Sequence, residues 1–149
     1  MATTAFKGLA AVGLGLLLVA CSPSAARRDV PPGTDRVVEL SMEGMHFIPD
    51  RIEVRAGELV AFVVTNPNDI AHELYIGTEA DQLAHHSVHM AVASAGQIYI
   101  QHGGYGIFLA PHETGVVSYR FDTPGEIMLG CHLPGHWEAG MRAVVVVEP

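Results

Sequence analysis

The chain has 149 residues, 49% of them hydrophobic and 16% charged, and a formal net charge of -8. That length holds one hydrophobic core, and two cysteines exclude a mini-fold stapled by several disulfides. Sixteen acids against eight basic residues, with no basic run beyond Arg27-Arg28, exclude a nucleic-acid binder. Nine histidines and six methionines remain as an unusual load of nitrogen and sulfur donors.

The chain opens on an address. Lys7 precedes an uncharged run of thirteen residues, Gly8 to Ala20, which is too short to span a bilayer comfortably and reads as a secretory signal over residues 1–20. Leu18-Val19-Ala20-Cys21 resembles a bacterial lipobox, so Cys21 is the expected site of lipidation and the membrane a partner through that lipid. Ser22 does not carry the aspartate associated with inner-membrane retention, which leaves the choice of membrane open. The expected location is the cell envelope, facing the periplasm or the extracytoplasmic side. Past Ala20 the chain has no lysine and seven arginines against sixteen acids, a side-chain charge of -9. Residues 21–35 are small, polar and Pro-rich, suiting a flexible tether, and the folded domain is expected over 36–149.

Strand signals then follow in order. Val37–Met42 and Arg51–Arg55 carry β-branched residues closed by turn signals at Gly44, Pro49-Asp50 and Ala56-Gly57. Glu58–Asn66 and Ala71–Ile76 add two more, and Gly115–Phe121, Glu126–Gly130 and Arg142–Val147 complete about seven short strands, the pattern of a sandwich. The middle breaks that rhythm. Glu79–Ala95 holds strong helix formers without Pro or Gly, with Leu83, Val88, Met90 and Val92 near helical spacing. Thr78 and Asp81 have the offset of a capping box, and Gly96 supplies a stop. Residues 97–113 read as a Gly-rich loop with one short strand.

The chemistry concentrates near the C-terminus. If Cys21 is lipidated, Cys131 is the one remaining thiol, in a compartment where exported thiols pair or oxidise unless protected. It stands in Cys131-His132-Leu133-Pro134-Gly135-His136-Trp137-Glu138-Ala139-Gly140-Met141, a C-x4-H-x4-M loop between two expected strands. A thiolate, an imidazole and a thioether on one loop suit copper better than hard cations. A second imidazole is needed for a trigonal His2Cys set with axial Met, and His72, after an Asn/Pro-rich loop at the start of a strand, is the best candidate. Taken singly, a buried Cys, a core His and a packing Met are ordinary; their joint spacing is not. His132, next to Cys131 on an extended segment, points the other way and reads as structural or surface.

These residues resemble the cupredoxins, the blue-copper family of plastocyanin, azurin, rusticyanin and pseudoazurin, over roughly residues 36–149. The resemblance implies an all-β, Greek-key β-sandwich, to which this chain adds one helical insert at about 78–113. It also implies one type 1 copper on His72, Cys131, His136 and Met141. The loop spacing is nearer to rusticyanin-like and phytocyanin-like loops than to the tighter plastocyanin loop. Asn66 and Asn68 are expected to lock the ligand loops through backbone hydrogen bonds. Two departures stand out: fifty-eight residues separate His72 from Cys131, and Trp137, directly after the loop histidine, is an apolar residue placed to shield the metal.

Within the insert, His85 and His89 share a helix face at i, i+4, as do His86 and Met90. Two readings follow. Either these imidazoles face water, or they form a second, labile copper site completed by His102, His112 or Met45-His46. The leading functional expectation is a lipid-anchored one-electron carrier, not an enzyme. His136 is its electron port, and its partner is a transient redox protein such as an oxidase, reductase or cytochrome. The alternative is copper handling, for tolerance, storage or delivery. An enzyme such as a copper nitrite reductase or multicopper oxidase needs a second catalytic copper and normally another domain.

Overall fold

The computed structural model describes residues 29–96 and 105–149. The expected signal segment, Cys21 and His102 lie outside the described residues. In chain order the elements are β1 (Arg36–Glu43), β2 (His46–Ile48), β3 (Arg51–Arg55), β4 (Glu58–Thr65), β5 (His72–Gly77), α1 (Glu79–Ser94), β6 (Gly106–Leu109), β7 (Thr114–Phe121), β8 (Gly125–Gly130) and β9 (Arg142–Glu148). They form a four-stranded sheet, β2-β1-β4-β7, and a five-stranded sheet, β3-β9-β8-β5-β6. β1 pairs parallel with β4 and β3 parallel with β9, so the chain crosses between sheets and ties both together. None of the described helices is long and apolar enough to cross a membrane.

The all-β sandwich with a helical insert is as the sequence implies, with one short strand, β2, added. β2 is a three-residue hairpin partner of β1, turned by Gly44 at φ 58°, and it is too short to leave a period of its own in the sequence. β6 is the single strand of the Gly-rich stretch. The core lies between the sheets. Alternation places Ile52 and Val54 of β3 and Ala143, Val145 and Val147 of β9 inside, while β4, central in its sheet, buries Val60 to Val64 without a break. Phe62 and Phe121 meet edge to face at 6.3 Å across the β4–β7 pair, with Phe47 buried in the same core.

The same period of two organises the site. Along β5, His72, Leu74 and Ile76 belong to the buried interior, while Glu73, Tyr75 and Gly77 alternate to the other face, which α1 covers. At the end of β8, Leu129 and Cys131 join the core, and Gly130 and His132 face the helix.

α1 starts as the sequence indicates. The Thr78 side chain accepts from the Asp81 N–H and the Asp81 carboxylate accepts from the Thr78 N–H, a reciprocal cap whose loss costs about 1 kcal/mol. It ends at Ala95, and Gly96 adopts φ 73°. The face it buries is the reverse of the apolar pattern. Gln82, His85 and His89 are buried, whereas Leu83 is 54% and Val88 42% exposed. The water-facing reading of the helix histidines therefore fails for His85 and His89. The reason is local: the sheet face under α1 offers a carboxylate and carbonyls, and polar side chains answer them.

Candidate metal centre

The loop from Cys131 to Met141 is a compact run of turns held by its own backbone. His136 N–H donates to Leu133 O, Met141 N–H to His136 O and Cys131 N–H to Met141 O, at 2.9, 3.0 and 3.1 Å. Gly140 at φ 90° lets the chain double back so that Met141 returns beside Cys131 before β9 begins. Cys131, His136 and Met141 are thereby tied to one another whatever their side chains do. Cys131 and Met141 are fully buried and His136 is half-buried.

His72 reaches them from β5. The donor atoms of His72, Cys131 and His136 lie within 4.8 Å of one another, with Cys131 Sγ 3.2 Å from His136 Nδ1 and the two imidazole centroids 4.8 Å apart. Neither ring nitrogen of His72 has a hydrogen-bond partner, although the residue is fully buried. An unmet buried polar group costs roughly 1–3 kcal/mol, so an ion accepting the lone pair of the unprotonated ring nitrogen is what this pocket fits.

Burial also sets the proton chemistry. It pushes the Cys131 thiol up to about 12, opposed by N–H groups of Glu73 and Leu133 that point at the sulfur and reinforced by the Glu73 carboxylate. Burial and then the neighbouring His136 lower His72 to about 4, and burial lowers His136 against the pull of Glu73 and Glu138. The imidazoles are ready as neutral ligands at pH 7, and the thiol must lose a proton to bind.

Asn66 holds the approach to His72. Its Nδ2 donates to Ile70 O at 2.8 Å, Ala110 O at 3.0 Å and Leu109 O at 3.3 Å, and its Oδ1 accepts from Asn68 N–H and Nδ2. Asn68 continues outward, donating to Met42 O and accepting from Gly44 N–H. The two asparagines thus fasten the loop before β5 to both sheets.

A Cys/His/His pocket at the end of a two-sheet sandwich invites comparison with known copper proteins. The family model for copper-binding proteins of the plastocyanin/azurin family matches residues 35–148. The chain belongs to that family. This cupredoxin is 37% identical over 115 residues to the copper-resistant cuproprotein CopI of Rubrivivax gelatinosus, covering 76% of this chain and 67% of the relative. It is 25% identical over 139 residues to the protein of the same name from Pseudomonas aeruginosa, with 76% and 77% covered. Among solved structures, auracyanin B superposes with a TM-score of 0.65 at 22% identity, over 80% of this chain and 94% of that one. Auracyanin A from Chloroflexus aurantiacus gives 0.60 at 19% identity, over 75% and 98%. These two show the shared fold. Copper is the cofactor of this cupredoxin, and the His/Cys/His pocket is the candidate site for it.

The remaining sequence-predicted donors are distributed differently. His132 does point away from Cys131, but it is fully buried. Its Nε2 lies 2.6 Å from Gln82 Oε1, whose amide nitrogen donates to Tyr75 O and Met128 O. Trp137 stacks on His132 at 4.4 Å with Arg142 over its other side at 4.3 Å, so the indole shields the helix side of the sheet. His86 and Met90 are half-buried, and His86 lies 3.4 Å from His132 Nδ1 and 3.5 Å from Glu138. His112 is exposed beside Asp69, and His46 is exposed on β2, so neither joins the helix histidines. The residue that does join them is Glu73, which sequence reasoning missed. Its signal was a lone acid in the expected strand Ala71–Ile76, one residue after the candidate ligand His72.

Proposed function

We propose that this cupredoxin is a copper-handling protein of the bacterial cell envelope, serving copper tolerance through one type 1 copper on His72, Cys131, His136 and Met141. The observation that carries the reading is the 37% identity over 115 residues to a protein named for copper resistance. The geometry supports it. Three of the four residues, His72, Cys131 and Met141, are fully buried, and the three on the loop are tied together by backbone hydrogen bonds, an arrangement that excludes water and holds soft sulfur with imidazole for copper in either oxidation state. Copper bound there supplies a one-electron couple. Lipid on Cys21 would place the domain at the membrane surface, facing the periplasm or the extracytoplasmic side; Cys21→Ala should move the protein from the membrane to the soluble fraction.

A second reading, the one-electron carrier, is favoured by one feature. His136 alone among the candidate ligands is half-buried, so its ring edge is the route by which an electron would reach a transient redox partner. Growth on graded copper separates the two. In a strain lacking the protein, the wild-type chain should restore copper tolerance and Cys131→Ser should not. Equal rescue by Cys131→Ser would remove the resistance reading, and a growth defect independent of added copper would favour the carrier.

A further inference from the structure

Opposite the first pocket, across the thickness of one sheet, lies a second convergence of donors. Glu73 is fully buried, His85 is 7% and His89 2% exposed, and one ligand atom from each lies within 4.8 Å of the others. His89 Nε2 is 3.1 Å from one carboxylate oxygen of Glu73 and His85 Nε2 is 3.5 Å from the other. The His85 ring is fixed by stacking on Tyr75, centroids 3.9 Å apart and planes within 6°, and the cluster is closed on its other side by the His132 ring. A carboxylate taken out of water needs positive charge beside it. Two imidazoles on one helix face aimed at that carboxylate supply two nitrogens and one or two oxygens, with no sulfur.

We propose that Glu73, His85 and His89 form a second metal site, selective for a divalent ion that prefers nitrogen and oxygen ligands and occupied by Cu(II). The ligand chemistry decides the ion. Imidazole with carboxylate suits Cu(II) and Zn(II), cupric binding is the tighter of the two, and the lack of thiolate or thioether disfavours Cu(I). The site is also wired to the first pocket. Glu73 N–H donates to Cys131 Sγ at 3.4 Å, and a Glu73 carboxylate oxygen accepts from His132 N–H at 2.6 Å. A metal drawing on the Glu73 carboxylate therefore acts on the backbone on which the copper thiolate rests. The site stands on its own donors and does not depend on the tolerance reading.

The test is Cu(II) titration of the purified protein, followed by desalting, metal analysis and electron paramagnetic resonance. Wild type should retain two copper ions per chain. One should carry the thiolate-to-copper band; the other should show an ordinary tetragonal cupric signal with nitrogen splitting, and its filling should shift the thiolate band. His85→Phe/His89→Leu should keep the thiolate band, which reports an intact fold, and lose the second ion. His89→Gln, a milder change, should weaken the second ion at least tenfold, beyond retention through desalting. Only one copper retained by wild type, or a second copper that survives His85→Phe/His89→Leu, would overturn the assignment.

Discussion

Asn66 is the most exacting place to test how the fold supports the copper pocket. Its two amide protons serve Ile70 O and Ala110 O, with Leu109 O as a weaker third acceptor, while its carbonyl takes two donors from Asn68. Asn66→Ala removes four good hydrogen bonds from a fully buried side chain, each worth about 1 kcal/mol net. Some freed groups near the exposed loop recover water, so the expected loss of stability is about 2–4 kcal/mol. Asn66→Asp is the sharper variant, because it sets a carboxylate against three carbonyl oxygens and should cost more than the alanine. Urea denaturation of the copper-free protein measures both, as a fall in midpoint with the slope unchanged. Since residues 66–71 lead directly into His72, copper affinity should drop in the same order. An Asn66→Ala protein within 1 kcal/mol of wild type, or an aspartate variant no worse than the alanine, would refute the reasoning.

Three further outcomes follow from the same geometry. A Cβ at Gly130 would lie 2.5 Å from Gln82 Oε1 and 2.8 Å from the Trp137 ring, so Gly130→Ala should cost about 1–3 kcal/mol in a thermal melt by prising Gln82 from His132. Copper affinity should rise about tenfold per pH unit between pH 5 and 8: the Cys131 thiol, held at about 12, gives up one proton on binding, whereas His72, at about 4, has none to lose. A flat competition titration across that range would contradict it. Cys131→Ser should abolish the intense visible absorption of the copper-loaded protein and Met141→Leu should keep a coloured site with a raised reduction potential, both checked by spectroscopy and voltammetry.

Much of the first pocket was legible in the sequence because its donors are contiguous: Cys131, His136 and Met141 share one loop, and the spacing survives as a pattern. His72 was legible from its place after a turn-rich loop, and the Thr78–Asp81 cap from its offset. What stayed hidden did so for separate reasons. Glu73 alternates with apolar neighbours, which is how a half-exposed strand reads, and nothing in a period of two shows that a helix will cover the outer face. The helix itself misled in the opposite sense, since Leu83 and Val88 hold the spacing of a buried stripe while Gln82, His85 and His89 occupy the buried side. β2 was missed because three residues leave no period to detect.

The pleat of β5 and the β8 end has a practical consequence for anyone re-engineering this domain. Positions 72 and 131 belong to one chamber and positions 73 and 132 to its neighbour, so the two can be rewritten separately by point substitution. A single-residue insertion or deletion inside either strand would instead swap the occupants, turning acid toward sulfur and imidazole toward the helix, and both chambers would be lost together. Length changes belong in the flanking turns, and chemistry belongs in the strands.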